Sequence, residues 1–279
     1  MARTVSIKVY NIGRTMLDRG EVRQWLTDLA VSDEAITKLL DPGVTDCANL
    51  VRLAGKRCYM AFEGDGKLNP NVMKVRDDIG KYIDHILESK HGSVIEHIYY
   101  NFAIEGISRV LTAELNRHRA GVAISEGSMR FIRFKDLPYW LPTSIEHDQA
   151  DTPEIAEKKK RSRAVFQRAF WEAEANYAEL EQIWGEDLLP TSKFQKKKQV
   201  TSMMRRIVPI GVSTGGVWTF NFRALRHVCT MRGDVDSAEE EINLLALLLL
   251  KKMMYSEIHF FSDFSQNEKG SWQPKHWKV

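Results

Sequence analysis

The sequence predicts an α+β protein of one domain over residues 1–279. Three observations predict it. Extended stretches are few and widely spaced (4–10, 98–104 and 212–222), and helical patterning fills most of the chain between them. No internal repeat, low-complexity segment or flexible linker divides the chain. Hydrophobic residues at 43% with 28% charged residues are ordinary for a globular protein, and this length can bury a substantial core.

In order, residues 4–10 (TVSIKVY) place Val5, Ile7 and Val9 on one face at period two, which predicts a strand. Helices follow over about 20–30 and 33–41, with Ser32 and Asp33 as cap candidates, and a longer one over 44–62 carries Leu50, Leu53, Ala54, Cys58 and Ala61. GDGKLNP (64–70) breaks it; no Gly-Lys-Ser/Thr follows, so this is a loop rather than a phosphate cradle. Val72, Val75, Ile79, Ile83, Ile86 and Leu87 then predict a helix over about 70–90, with Pro70 near its start. Ile98, Tyr100, Phe102 and Ile104 alternate as a strand, after which Ser108 caps a helix leading to Arg117. Beyond an irregular acidic connection from Tyr139, Thr152-Pro153-Glu154 has the order of a helix start. Phe166, Phe170, Ala173, Tyr177, Leu180 and Trp184 continue that helix to Gly185, about 45–50 Å at 1.5 Å per residue, and form a core-facing stripe. Residues 212–222 are extended. The final helix opens as a capping box from Ser237 to Glu240, and its apolar stretch 242–254 suits burial between elements or subunits. The tail SWQPKHWKV has two tryptophans and no role that its sequence reveals.

Several function classes find no support. A net charge of +3 is too small to argue for nucleic acid, and the basic runs 157–163 and 193–198 suit solvated helix faces. The longest apolar run, 244–250, is far short of a membrane span, and the first residues lack a signal-peptide core. Cys47, Cys58 and Cys229 show neither a disulfide framework nor zinc spacing, so a reducing, cytoplasmic setting is the default. His85, His91 and His97 recur at six-residue spacing, which does not stack them on one helical face, and no metal is expected. Gly-x-Ser-x-Gly, a cysteine with a companion base, a close carboxylate pair and Gly-x-Gly-x-x-Gly are all missing. An RNA-binding module and a metal-dependent hydrolase remain as alternatives from other classes.

The most informative stretch runs from Glu114 to Phe131. Arg117-His118-Arg119 is followed by Glu126, Ser128 and Arg130, with small residues (Ala120, Gly121, Ala123, Gly127) between. Arginine is suited to bidentate phosphate contacts, so the cluster describes a pocket for a phosphorylated ligand that relies on an external carrier for hard chemistry. Arg-His-Arg followed by Glu-x-Ser-x-Arg-aromatic resembles the signature of the flavin-dependent thymidylate synthases. Two further blocks in the right order, His91-Gly92-Ser93-Val94-Ile95-Glu96-His97 and Asn221-Phe222-Arg223-Ala224-Leu225 through Met231-Arg232, resemble the same family, and the likeness spans about 50–260.

The resemblance implies helices packed on a mainly antiparallel sheet, a homotetramer whose active sites combine several subunits, and small-molecule partners rather than nucleic acid or membrane. It implies C5-methylation of a uridine monophosphate, with dUMP leading and UMP tolerated. FAD would be the cofactor, methylenetetrahydrofolate the carbon donor and NADPH the reductant. It places Glu114, Arg117, Glu126, Gly127, Ser128, Met129, Arg130, Arg205 and Arg232 at the nucleotide, with Arg232 the catalytic group at N3 and O4 of the pyrimidine. Arg206 beside Arg205 leaves the choice of phosphate arginine open. It places His91, Ser93, Arg117, His118, Arg119, Glu126, Asn221, Arg223 and His227 at the flavin, His91 also bordering the folate. The chain departs from the pattern by eight residues instead of seven between Arg119 and Ser128, by Glu114 for Gln, and by Ala224 and His227 for Ser and Asn.

Overall fold

A computed structural model describes residues 2–149 and 151–279. The chain opens with β1 (Arg3–Val5), β2 (Lys8–Arg14), α1 (Arg19–Asp28), α2 (Asp33–Leu39), α3 (Asp46–Tyr59), α4 (Ile79–Glu88) and α5 (Gly92–Ile95). The motif region follows as β3 (Tyr99–Ser108), α6 (Arg109–Leu115), β4 (Val122–Glu126), β5 (Pro138–Trp140) and α7 (Thr143–Glu146). The long α8 (Pro153–Ile183) and α9 (Phe194–Met204) lead to β6 (Ser213–Asn221) and α10 (Phe222–Arg232). The chain ends with α11 (Glu240–Ser256), α12 (Ile258–Phe261), β7 (Phe264–Gln266) and β8 (Trp272–Pro274).

The central sheet has the order β2-β3-β6-β4 with every pairing antiparallel, as expected of an α+β fold. The alternation at Tyr100, Phe102 and Ile104 puts three fully buried side chains on one face, joined by Trp218 and Phe220 from β6. Phe222, Leu225, Ile242, Leu245 and Leu249 from α10 and α11 complete this core cluster. Burying side chains of this size stabilises by about 2–3 kcal/mol each. Polar groups pin the same layer: Glu257 accepts from Tyr100 Oη and from Thr45 Oγ1, both at 2.7 Å. Among the described residues no helix is long and apolar enough to cross a membrane.

Several expected elements change in detail. The single strand over 4–10 is two: β1 pairs in parallel with β5 and β2 pairs antiparallel with β3, in different sheets. The break falls where Ser6 O crowds Gly106, which has φ +74° at a shift in the β3–β6 register, so no side chain fits between them. The helix over 70–90 is only Ile79–Glu88, because the Asp78 carboxylate caps it by accepting from Lys81 N at 2.7 Å. The preceding segment is held as loop, with Val72 N donating to Asn69 O and Asn69 Nδ2 to Tyr59 O. The capping box at Ser237 does not form either. Glu239 caps α11, Ser237 Oγ donates to Asp234, and Glu240 accepts from Ser144 N.

Candidate active site

Three elements build the Arg-His-Arg turn. Ser108 caps α6 by accepting from Val110 N and Leu111 N, and is itself seated on the buried Glu241 carboxylate, which accepts from Ser108 N at 2.6 Å. The helix stops at Leu115, so Arg117 and His118 lie in the turn beyond it, their amides donating to Glu114 O and Leu115 O. Gly121 then reverses the chain at φ +70°, with the Asn221 side chain packed where a Cβ would stand and Asn221 N donating to Gly121 O at 2.8 Å. Asn221 Oδ1 meanwhile caps α10 by accepting from Ala224 N. From Gly121 the chain enters β4, a strand the sequence patterning had not indicated. Its ladder with β6 runs without a shift from Val122 to Glu126, so the extra motif residue is not a bulge there.

His118, Glu114, His227 and Arg232 form one cluster. Arg232 Nη1 pairs with Glu114 Oε2 at 2.8 Å, and Arg232 Nε donates to His118 Nε2 at 3.2 Å. Asn243 Nδ2 holds the Arg232 carbonyl at 2.8 Å, and the His227 ring meets His118 edge-on at 5.6 Å. Burial, then the charges of Arg232, His227 and Arg117, pull the His118 pKa down to about 4. The imidazole is therefore neutral near pH 7, and its Nε2 lone pair is free to accept from Arg232. Glu114, expected at the nucleotide, here has its carboxylate on Arg232.

Glu126 is similarly engaged. Its oxygens take Arg109 Nη1 at 2.6 Å and Asn116 Nδ2 at 2.9 Å, and Asn116 Oδ1 accepts from Trp218 Nε1. Arg109 also donates to Gly127 O, while its Nε is buried without a partner. Neither Arg109 nor Asn116 was expected at the site. The only local signal was the helix that links Ser108 to the Arg-His-Arg triplet, which Arg109 opens and Asn116 closes as its C-cap.

The remaining expected residues line separate hollows. Glu126, Gly127 and Met129 border a 910 Å³ cavity with Lys8, Glu105 and Arg109. Gly121, Asn221, Arg223 and His227 border one of 530 Å³. His91 and Ser93 face a 620 Å³ cavity between α3, α4 and the loop 71–76. Arg130 lines a fourth, of 390 Å³, with Lys198 and Arg206; Arg205 does not line it. Ser128 sits in the turn after β4, where its Oγ accepts from Arg130 N at 3.3 Å. Arg117, Arg119, Arg130, Arg205 and Arg206 have no carboxylate within ion-pair distance among the described residues. His85 and His91 share a cavity that His97 does not reach, and no three His, Cys, Asp or Glu groups of the described residues form a metal-ligand set.

Comparison with known proteins gives the family. The family model described as thymidylate synthase complementing protein matches residues 39–255. A flavin-dependent thymidylate synthase of Mycobacterium tuberculosis is 30% identical over 264 residues, covering 95% of this chain and 92% of its own. One from Mycobacterium avium is 32% identical over 215 residues, 77% of this chain and 78% of its own. Two crystal structures of the UMP/dUMP methylase PolB from Streptomyces cacaoi share the fold at 15% identity. That bound with 5-Br dUMP has a TM-score of 0.58 over 94% of this chain and 96% of its own. That bound with 5-Br UMP has a TM-score of 0.62 over 94% and 95%. The chain belongs to the flavin-dependent thymidylate synthases, enzymes of the methyltransferase type.

Proposed function

We propose that the chain methylates C5 of a uridine monophosphate nucleotide, with dUMP as the leading substrate and UMP also accepted. FAD is the cofactor, methylenetetrahydrofolate the carbon donor and NADPH the reductant. The observation that carries this reading is the Glu114–Arg232–His118 cluster, flanked in the chain by Arg117 and Arg119, two guanidiniums without carboxylate partners among the described residues. A fixed cation with oriented donors next to unpaired arginines suits an anionic heterocycle carrying a phosphate.

The residues present fit FAD. The 530 Å³ cavity is of a size that small-molecule sites occupy, and Gly121 keeps one wall flush with the backbone. Arg223 spends two donors on the protein and keeps the others, and Arg117 and Arg119 stand close by in the chain for a pyrophosphate. Asn221, Arg223, His227 and His118 would hold the cofactor here, with His91 and Ser93 supplied from the other cavity. When bound, the flavin supplies the reducing equivalents for methyl transfer. Arg232 stays cationic at any working pH and stabilises negative charge at N3 and O4 of the pyrimidine. Neutral His118 accepts from Arg232 without adding positive charge, and Glu114 sets the direction of its guanidinium. Arg130, with Arg205 or Arg206, receives the nucleotide phosphate, and Gly127, Ser128 and Met129 shape the adjacent turn.

Assembly of a homotetramer of single-domain chains completes this scheme, because those expected residues of one chain that line a cavity are spread over four separate ones. Exposed apolar side chains on α8, including Ile155, Val165 and Trp171, offer surface for such contacts. The lengthened motif carries the tolerance for UMP. The test is turnover of dUMP and UMP with FAD, NADPH and methylenetetrahydrofolate, read as the 5-methyl nucleotide by chromatography. Turnover of both, faster with dUMP, is expected. Strict rejection of UMP removes the relaxed pocket, and turnover of neither removes the substrate assignment.

A further inference from the structure

The tail had no role legible in its sequence, yet it forms one wall of the 530 Å³ cavity. His276, Trp277, Lys278 and Val279 line it together with Ala120, Gly121 and Arg223. Two anchors hold the tail there. The first is at His276, whose amide donates to Asp263 Oδ2 at 3.2 Å and whose Nε2 meets Asp84 Oδ1 at 3.1 Å. Asp263 is in turn gripped by both terminal nitrogens of Arg226, at 2.7 and 2.8 Å. The second is at Val279, whose carbonyl accepts from Arg223 Nε at 2.9 Å.

Arg223 is therefore clamped from two sides, since its Nη1 also donates to Glu96 Oε1 at 2.6 Å. The clamp has a steric requirement. A Cβ at Gly92 would stand 2.5 Å from Val279 C and 2.8 Å from Arg223 Nε, so only glycine lets the tail reach its seat. Trp277, which lines the cavity, is left 56% exposed between the two anchors. Lys278 beside it adds a cation.

We infer that the segment Trp277–Val279 is a cofactor-positioning strap. It fixes the Arg223 guanidinium in the orientation that receives FAD and presents Trp277 and Lys278 as the outer wall of that site. The inference rests on the flavin reading above. An ordered guanidinium loses less freedom on binding than a loose one, and a ring and a cation lining the cavity suit an aromatic, pyrophosphate-bearing ligand.

The test is equilibrium binding of FAD to the wild-type chain 1–279, to a chain lacking 277–279, and to Gly92→Ala, read by flavin fluorescence anisotropy with thermal unfolding in parallel. The truncation ends after His276, so the Asp84 and Asp263 contacts remain. Both variants are expected to bind FAD about tenfold more weakly, as preorganisation is lost. Gly92→Ala should also lower the Tm of the full chain by more than that of the truncated chain, where the added methyl no longer meets Val279 and only the movable Arg223 side chain stands against it. An unchanged or tighter FAD Kd in the truncation overturns the strap, because the tail is then a bystander or a cover. Equal Tm losses for Gly92→Ala in both backgrounds overturn the seat at Val279. Absence of FAD binding by the wild type removes the flavin reading itself, and is seen before any variant is compared.

Discussion

Replacing Glu114 by glutamine isolates the pair on which the proposed chemistry depends. The Arg232–Glu114 contact is 2.8 Å long, with side chains 18% and 30% exposed, so it is neither a surface pair nor a dry one. Two unit charges about 4 Å apart attract by ~4 kcal/mol at an effective dielectric near 20. Desolvation and solvent screening reduce the net value to about 1 kcal/mol. Glu114→Gln should therefore lower folding stability by about 1 kcal/mol while freeing Arg232 Nη1 to meet a ligand. It also removes a negative charge from the neighbourhood of an anionic substrate. The two effects act in the same direction on binding, and ~1 kcal/mol corresponds to about a fivefold tighter Kd for dUMP. Isothermal titration of dUMP into FAD-loaded wild type and variant measures this directly. A dUMP Kd raised tenfold or more would refute the reasoning, because Glu114 would then be touching the nucleotide rather than restraining Arg232.

Two further outcomes follow from the same region. Gly121→Ala forces a side chain into a φ +70° turn against Asn221, which caps α10, so a loss of about 2–3 kcal/mol from backbone strain and the disturbed cap is expected. Urea unfolding checks it, and a loss below about 0.5 kcal/mol would mean that the turn relaxes freely. The buried Glu241 beneath Ser108 is pushed up to about 7, chiefly by burial, from an ordinary value of 4.5. The folded state thus binds this proton more tightly, and the associated stability, present below pH 4.5, is lost as pH rises through 7. Glu241→Gln should gain on the wild type by up to ~3 kcal/mol between pH 4.5 and 8, and an equal difference at both pH values would be contrary to it.

What the sequence made legible was what neighbours decide locally. The alternation at Tyr100, Phe102 and Ile104 predicted a strand because one face of β3 is fully buried, and Ser32, Ser108 and Thr152 each cap the helix expected of them. The split of residues 4–10 depends instead on Gly106, remote in the chain, which the local pattern of Val5, Ile7 and Val9 could not register. Val72 and Val75 had helical spacing, yet they line a cavity wall held by side-chain contacts to α3 and by the Asp78 cap. β4 was illegible because Ala123, Ile124 and Ser125 are all exposed, so its strand character comes from pairing with β6 rather than from a buried face. In the site, the residue types were legible and their partners were not. Arg109 and Glu126 lie seventeen positions apart, and only the return of β4 beside β6 brings them together.

The partners matter because they divide the arginines into two sets with different work. Arg109, Arg223, Arg226 and Arg232 each pair with a carboxylate of another element, Glu126, Glu96, Asp263 and Glu114 respectively. Their charge is largely balanced, and they fix the walls. Arg117, Arg119, Arg130, Arg205 and Arg206 carry no such partner among the described residues, so their balancing charge must come from solvent ions or from a bound anion. A nucleotide phosphate or a flavin pyrophosphate meets that need without breaking any internal pair. Glu114, where the resemblance expects glutamine, moves Arg232 from the unbalanced set to the balanced one, trading field strength for fixed direction. The division also makes ligand affinity depend on salt through the unpaired set, while the paired walls, held by direct contacts, respond far less.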